Sequence, residues 1–238
     1  MDSLFTVPIA DLVLYFIAFI LSLSVHESAH ALTSYWFGDD TGRLQGRISL
    51  NPIAHIDPIG TLVLPLVGFL SVAQGLPPLI GWAKPVQVNP LNWRKKDLAN
   101  IMVSAAGPIS NLLLAIIVFV PLKIMLLRGT VVPGFGQGGR FNLVLPVEGQ
   151  AEWLLPVCTL LSVMLLLNVS LAVFNLIPIP PLDGSHVLET LMPESFRPVY
   201  EQIKPFSFFI LIGLLWLGVL SYIFTPVMIG VIKALYGI

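Results

Sequence analysis

His26, Glu27 and His30 are spaced to build a metal site. They lie in the pentapeptide His26-Glu27-Ser28-Ala29-His30. On a helix, residues four apart share a face, so the two imidazoles can reach one ion. Glu27 sits beside them, where its carboxylate can act as base on water activated by the metal without being a ligand. The chemistry of such a set is hydrolysis. The uncharged run Leu12–Val25 leads directly into the pentapeptide, and Ala31–Phe37 is again mostly apolar. Ionisable groups at membrane depth are costly, which marks them as functional candidates. The plainer alternative is a pair of helix-end histidines with a glutamate reaching for the interface.

A catalytic zinc takes three protein ligands and leaves a fourth position to water. Besides Glu27, the acidic groups close to membrane depth are Asp57, Asp183 and Glu152. Asp183 is the best placed. It follows an apolar span and the break Pro178-Ile179-Pro180-Pro181, so its carboxylate can point back into a helix bundle. It also reads as a helix N-cap, because Gly184-Ser185-His186-Val187-Leu188 can start a helix. Asn175 ends the same span, and Asn168 lies on the same helical face. Such an amide either joins helices within the membrane or donates to the carbonyl oxygen of a bound peptide as charge develops on it. Asn111 has the same two readings, with helix joining the stronger. His55 reads as structural within its loop. His186 is a candidate fourth ligand or supporting group, although four protein ligands would close the position that catalysis needs. Cys158 is the only cysteine, which excludes an internal disulfide and a cysteine zinc site. Its apolar setting fits a packed thiol.

Apolar helices must position these groups. The chain has 238 residues, 56% hydrophobic and 11% charged, with mean hydropathy +0.89. A soluble domain is about 25% charged. Several stretches reach the roughly 20 apolar residues that span a bilayer core. The pattern predicts an all-α polytopic membrane protein with about four to six transmembrane helices. Spans are expected near Val7–Phe37, Leu98–Leu127, Trp153–Ile177 and within Phe206–Tyr236. The last block is one long span or two short ones split near Thr225-Pro226. Residues 59–80 are apolar but broken by glycine and proline, so they either cross or re-enter. Arg43–Leu50 alternates enough for a short strand or hairpin, a small membrane-associated β element. The 129–150 loop is glycine-rich and too short for an inserted domain. The polar stretch Ser185–Lys204 reads as a short interfacial helix. The whole, 1–238, reads as one integral-membrane domain, with a core over about 10–190 and C-terminal span or spans at 206–236.

Net charge is −1 and no basic block suggests nucleic acid. No Lys or Arg precedes Arg43, unlike the positive start of a cleaved secretory signal. The first apolar segment is therefore expected to stay in the mature protein. Lys and Arg bias orients membrane proteins. If residues 59–80 re-enter, then Arg43, Arg47, Lys84, Arg94, Lys95 and Lys96 share one side, and Arg197 and Lys204 join them. That consistency favours re-entry. It also places the end of the His26–His30 helix and Asp183 on one side, the cytoplasmic one.

Three segments in order, HESAH at 26–30, AGPISN at 106–111 and NLIPIPPLDG at 175–184, resemble the site-2 protease family of intramembrane zinc metalloproteases. NPIAHIDPIGT and GWAKPV resemble its compact bacterial and archaeal-type members, and the 129–150 loop has no room for the PDZ domain of larger relatives. The resemblance implies that His26, His30 and Asp183 bind one Zn2+ per chain and that Glu27 is the catalytic base. It raises Asn175 to a substrate-positioning or oxyanion-side residue. It further implies that the substrates are transmembrane segments of other proteins, cut in regulated intramembrane proteolysis at a prokaryotic plasma membrane. A non-proteolytic zinc-binding protein or metal carrier is the competing class. Glu27 separates the two, because carrying a metal needs no base at that spacing. A membrane metalloprotease trimming soluble peptides is a third reading.

Overall fold

Long apolar stretches must satisfy their backbone groups internally in lipid, and the helix does so within one segment. The computed structural model describes residues 9–73, 81–134 and 141–238, with the side chains of 69–73 outside that description. Its helices, in chain order, are α1 (Ile9–Trp36), α2 (Thr41–Leu44), α3 (Leu64–Ala73), α4 (Lys96–Leu127) and α5 (Leu154–Asn175). Then come α6 (Asp183–Leu191), α7 (Arg197–Ile203), α8 (Ser207–Trp216) and α9 (Ser221–Tyr236). Among the described residues, four helical stretches are long and apolar enough to cross a membrane: Ile9–Trp36, Lys96–Leu127, Leu154–Asn175 and Glu194–Trp216, the last interrupted between α7 and α8. The protein is a polytopic, mostly helical membrane protein.

The core is a bundle of α1, α4 and α5. His26 and His30 of α1 meet Asn111 and Val103 of α4, so the sequence runs in opposite directions along the two helices. Phe19 and Leu23 of α1 pack against Leu167 and Leu171 of α5. Hydroxyls inside the bundle bond back to their own helix. Ser22 donates to the Ala18 carbonyl at 2.7 Å and Ser24 to Ile20 at 2.8 Å. Such bonds let polar side chains sit at membrane depth without an orphaned donor.

One end of the bundle is closed by strands β1 (Val131–Pro133) and β2 (Val144–Pro146), paired antiparallel with Val132 opposite Leu145. Val131, Leu143 and Val144 are buried with Leu122, Cys158 and Leu235 in the main apolar cluster. The Lys123 ammonium donates to the Ala234 carbonyl at 3.0 Å and to Leu235 at 2.8 Å, fastening the end of α9 there. At the opposite end lie the C-terminal ends of α1 and α5, the start of α4, and α6.

Residues 60 and 61 lie beside residue 82. The Trp82 N–H donates to the Gly60 carbonyl at 3.0 Å, and the Thr61 hydroxyl to the Trp82 carbonyl at 2.9 Å. Gly75, Pro77 and Pro78 of the 59–80 stretch lie outside the described residues.

Three expectations need correction. Residues 43–50 form no strand. Residues 41–44 are the helical turn α2, and the β element lies instead at 131–146. The alternation was misleading because Arg47 is buried. Its guanidinium donates to the carbonyls of Ala54 and Lys84, tying three loops together. The last apolar block breaks at Leu217–Leu220 rather than at Thr225-Pro226. Gly218 takes φ +71°, and the Val219 N–H reaches back to the Leu214 carbonyl at 3.0 Å, a glycine helix stop. Pro226 lies inside α9, where it removes one backbone bond. Finally, 185–204 holds parts of two helices, α6 and α7, separated at Met192–Pro193.

Candidate metal centre

Two elements deliver three side chains to one point. His26 and His30 occupy adjacent turns of α1, and Asp183 begins α6 after the proline break that follows α5. Nε2 of His26 and Nε2 of His30 lie 3.1 Å apart. Asp183 Oδ2 is 3.2 Å from the first and 3.4 Å from the second. Zn–N bonds of about 2.0–2.1 Å in a tetrahedron require ligand atoms about 3.3–3.4 Å apart. The observed spacings fall close to that edge length.

The hydrogen-bond partners of the two rings are compatible with a bound cation. His30 Nδ1 is 2.7 Å from the Val103 carbonyl, which can only accept, so Nδ1 carries a hydrogen and Nε2 is the nitrogen that faces the centre. His26 Nδ1 is 2.6 Å from Asn111 Oδ1, with the same consequence. Asp183 Oδ2 is buried and receives no hydrogen bond among the described residues. Two ring nitrogens and a carboxylate oxygen that converge in a largely buried site need a proton or a metal cation among them. Imidazole and carboxylate donors suit zinc, and the carboxylate lowers the net charge of the site. Among the described residues, no other group of three His, Cys, Asp or Glu side chains converges in this way.

Gly107 of α4 makes room for this centre. A Cβ there would stand 2.4 Å from His30 Nε2 and 2.6 Å from His26 Nε2, almost where an ion would bind. Only glycine lets α4 pass so close. The signal for it was in the sequence: Gly107 and Asn111 are four apart and face α1 together. Asn111 does join helices, but it also holds a candidate ligand, which the sequence reading undervalued.

The other candidates fall elsewhere. The Glu27 carboxylate, next to His26, accepts the Val86 N–H at 3.0 Å through Oε2. The Asn175 amide donates to the Leu171 carbonyl of its own helix at 2.9 Å. His55 is buried, with Nε2 at 2.8 Å from the Ser49 carbonyl and 3.3 Å from the Ser28 hydroxyl, pinning its loop to α1. His186 is exposed and stands outside the centre. Asp57 caps the π-helical turn Pro58–Val63 by accepting the Ile59 and Gly60 N–H groups. Glu152 is exposed.

A polytopic bundle in which His, His and Asp side chains converge has the make-up of a membrane protein with a candidate metal site. The sequence profile of peptidase family M50 matches residues 14–218. The chain belongs to that family, the site-2 protease family. It is 35% identical over 228 residues to YwhC of Bacillus subtilis, a match spanning 96% of this chain and 91% of that protein. It is 29% identical over 211 residues to Rip2 of Mycolicibacterium smegmatis, spanning 85% of this chain and 66% of Rip2. Both relatives bear the name "Putative zinc metalloprotease". No solved structure matches the chain.

Proposed function

We propose that this protein is an intramembrane zinc metalloprotease. It hydrolyses peptide bonds within or next to transmembrane segments of other membrane proteins, as regulated intramembrane proteolysis requires. The observation that carries this reading is the convergence of His26, His30 and Asp183, with Glu27 adjacent, inside a membrane-spanning bundle. One Zn2+ per chain would be held by His26 Nε2, His30 Nε2 and Asp183. When bound, zinc supplies Lewis acidity that acidifies water and polarises a carbonyl.

Glu27 does the proton work. Its Oε2 is fixed by the Val86 N–H, which orients the carboxylate while Oε1 takes the proton and later returns it to the leaving amine. The Asn175 amide gives one of its two hydrogens to the Leu171 carbonyl, and the other can assist at the oxyanion. The substrate helix must unwind, because its own hydrogen bonds protect its peptide groups. The basic residues that flank the centre's end of the bundle, Arg43 to Lys96 and Arg197 to Lys204, favour the cytoplasmic side of a prokaryotic plasma membrane. The whole chain, 1–238, acts as one protease domain. Its partners are substrate spans and the bilayer, with no nucleic acid.

The test uses purified protein in liposomes with a panel of single-span reporter substrates, and reads product masses. Cuts inside the apolar segment, abolished by a chelator and restored by zinc, are expected. Zinc-loaded protein that leaves the whole panel intact would shift the assignment to a metal carrier.

A further inference from the structure

We propose that Asn111 and Asn168 form a positioning relay that fixes His26 in its metal-binding tautomer. The inference rests on His26 being a metal ligand, as the proposed function has it. Ser22, Asn111 and Asn168 come from α1, α4 and α5, and all three are completely buried. His26 Nδ1 donates to Asn111 Oδ1 at 2.6 Å. Asn111 Nδ2 donates to Asn168 Oδ1 at 2.8 Å and to the Ser22 carbonyl at 3.3 Å. Asn168 Nδ2 donates to the Ser22 hydroxyl at 2.8 Å and to the Met164 carbonyl at 2.8 Å. The Ser22 hydroxyl then donates to the Ala18 carbonyl at 2.7 Å.

The direction of this chain is forced. Backbone carbonyls only accept. The Ser22 carbonyl therefore fixes which end of the Asn111 amide faces it, and the Met164 carbonyl does the same for Asn168. With both amides anchored, Asn111 can offer His26 only an oxygen. The imidazole must place its hydrogen on Nδ1 and leave Nε2 free. A reversed Asn111 would present N–H groups to Nδ1, move the ring hydrogen to Nε2 and block the metal face. Helix joining alone would not require a single polarity. Groups that orient a metal-binding imidazole in this way typically change metal affinity by about 10–100-fold when removed.

The experiment measures zinc affinity of the full chain by chelator competition, with the d–d absorption of bound cobalt(II) reporting ligand geometry. Asn111→Leu removes the acceptor and is expected to weaken zinc about 10–100-fold. Asn111→Asp keeps an acceptor for His26 but loses both donors, and is expected to hold zinc within about threefold of wild type. Asn168→Leu leaves the Ser22 carbonyl as an anchor, so a loss of about 3–10-fold is expected. A mere helix joint predicts the opposite split. Asn111→Asp would then be as damaged as Asn111→Leu, or both would bind zinc normally while the metal-free melting temperature falls. Either result overturns the relay. If Asn111→Leu does not fold, the Asp variant and Asn168→Leu still decide. Wild-type protein that shows this affinity pattern but never cleaves would overturn the protease reading alone.

Discussion

Substituting Gly107 with alanine tests how tightly α4 is fitted to the metal centre. The added methyl would lie 2.4 Å from His30 Nε2 and 2.6 Å from both Cε1 and Nε2 of His26. Ordinary carbon–nitrogen contact needs about 3.5 Å, so the imidazoles or α4 must shift by about 1 Å. Metal sites tolerate deviations of about 0.2 Å. Structural zinc binds with about 10–16 kcal/mol in all, so each ligand lost removes about 3–4 kcal/mol. That corresponds to at least about 100-fold weaker binding. Alanine is also the better helix former by about 0.5–1 kcal/mol, so propensity does not destabilise the metal-free fold. Gly213→Ala is the control, since a Cβ there meets no described atom within 4 Å. Chelator competition and melting in chelator should show zinc affinity collapsing in Gly107→Ala and unchanged in Gly213→Ala. Gly107→Ala protein that binds zinc within threefold of wild type would refute the reasoning.

Asp183→Ala should weaken zinc by at least about 100-fold. Arg47→Met keeps the buried stem but frees the Ala54 and Lys84 carbonyls, so a loss of about 1–3 kcal/mol with unchanged zinc affinity is expected in melting and chelator titrations. Asp39 sets a pH dependence. Burial pushes its carboxyl up, but bonds from the Thr41 hydroxyl, the Asn89 and Thr41 N–H groups and the Ser34 hydroxyl outweigh that and hold it at about 2. A lowered pKa stabilises the fold above the unfolded value of about 3.9, and that stability disappears as pH falls toward 2. Asp39→Asn should melt lower than wild type at pH 7, with the gap closing between pH 4 and pH 2.

The spans were legible because a bilayer demands long uninterrupted apolar runs, and α1, α4 and α5 follow them closely. The spacing of His26 and His30 was legible because it lies within one helix. What brings Gly107 and Asn111 against them was not, since His26 and Asn111 are 85 residues apart and meet only through helix packing. The 43–50 segment misled for a similar reason. Its backbone is set by the buried Arg47 and by Asp39, which bonds the Thr41 N–H and hydroxyl at the start of α2, and neither tie has a local period. At the C-terminal break, proline was weighted above glycine. A positive φ at Gly218 ends a helix more sharply than Pro226, which sits in the first two turns of α9.

The most direct test of the central claim compares wild type with Glu27→Gln on a single-span reporter in liposomes, with zinc content measured on the same samples. The account predicts that both proteins carry one zinc and that only wild type yields products cut within the apolar segment. Cleavage by Glu27→Gln at the wild-type rate would contradict it.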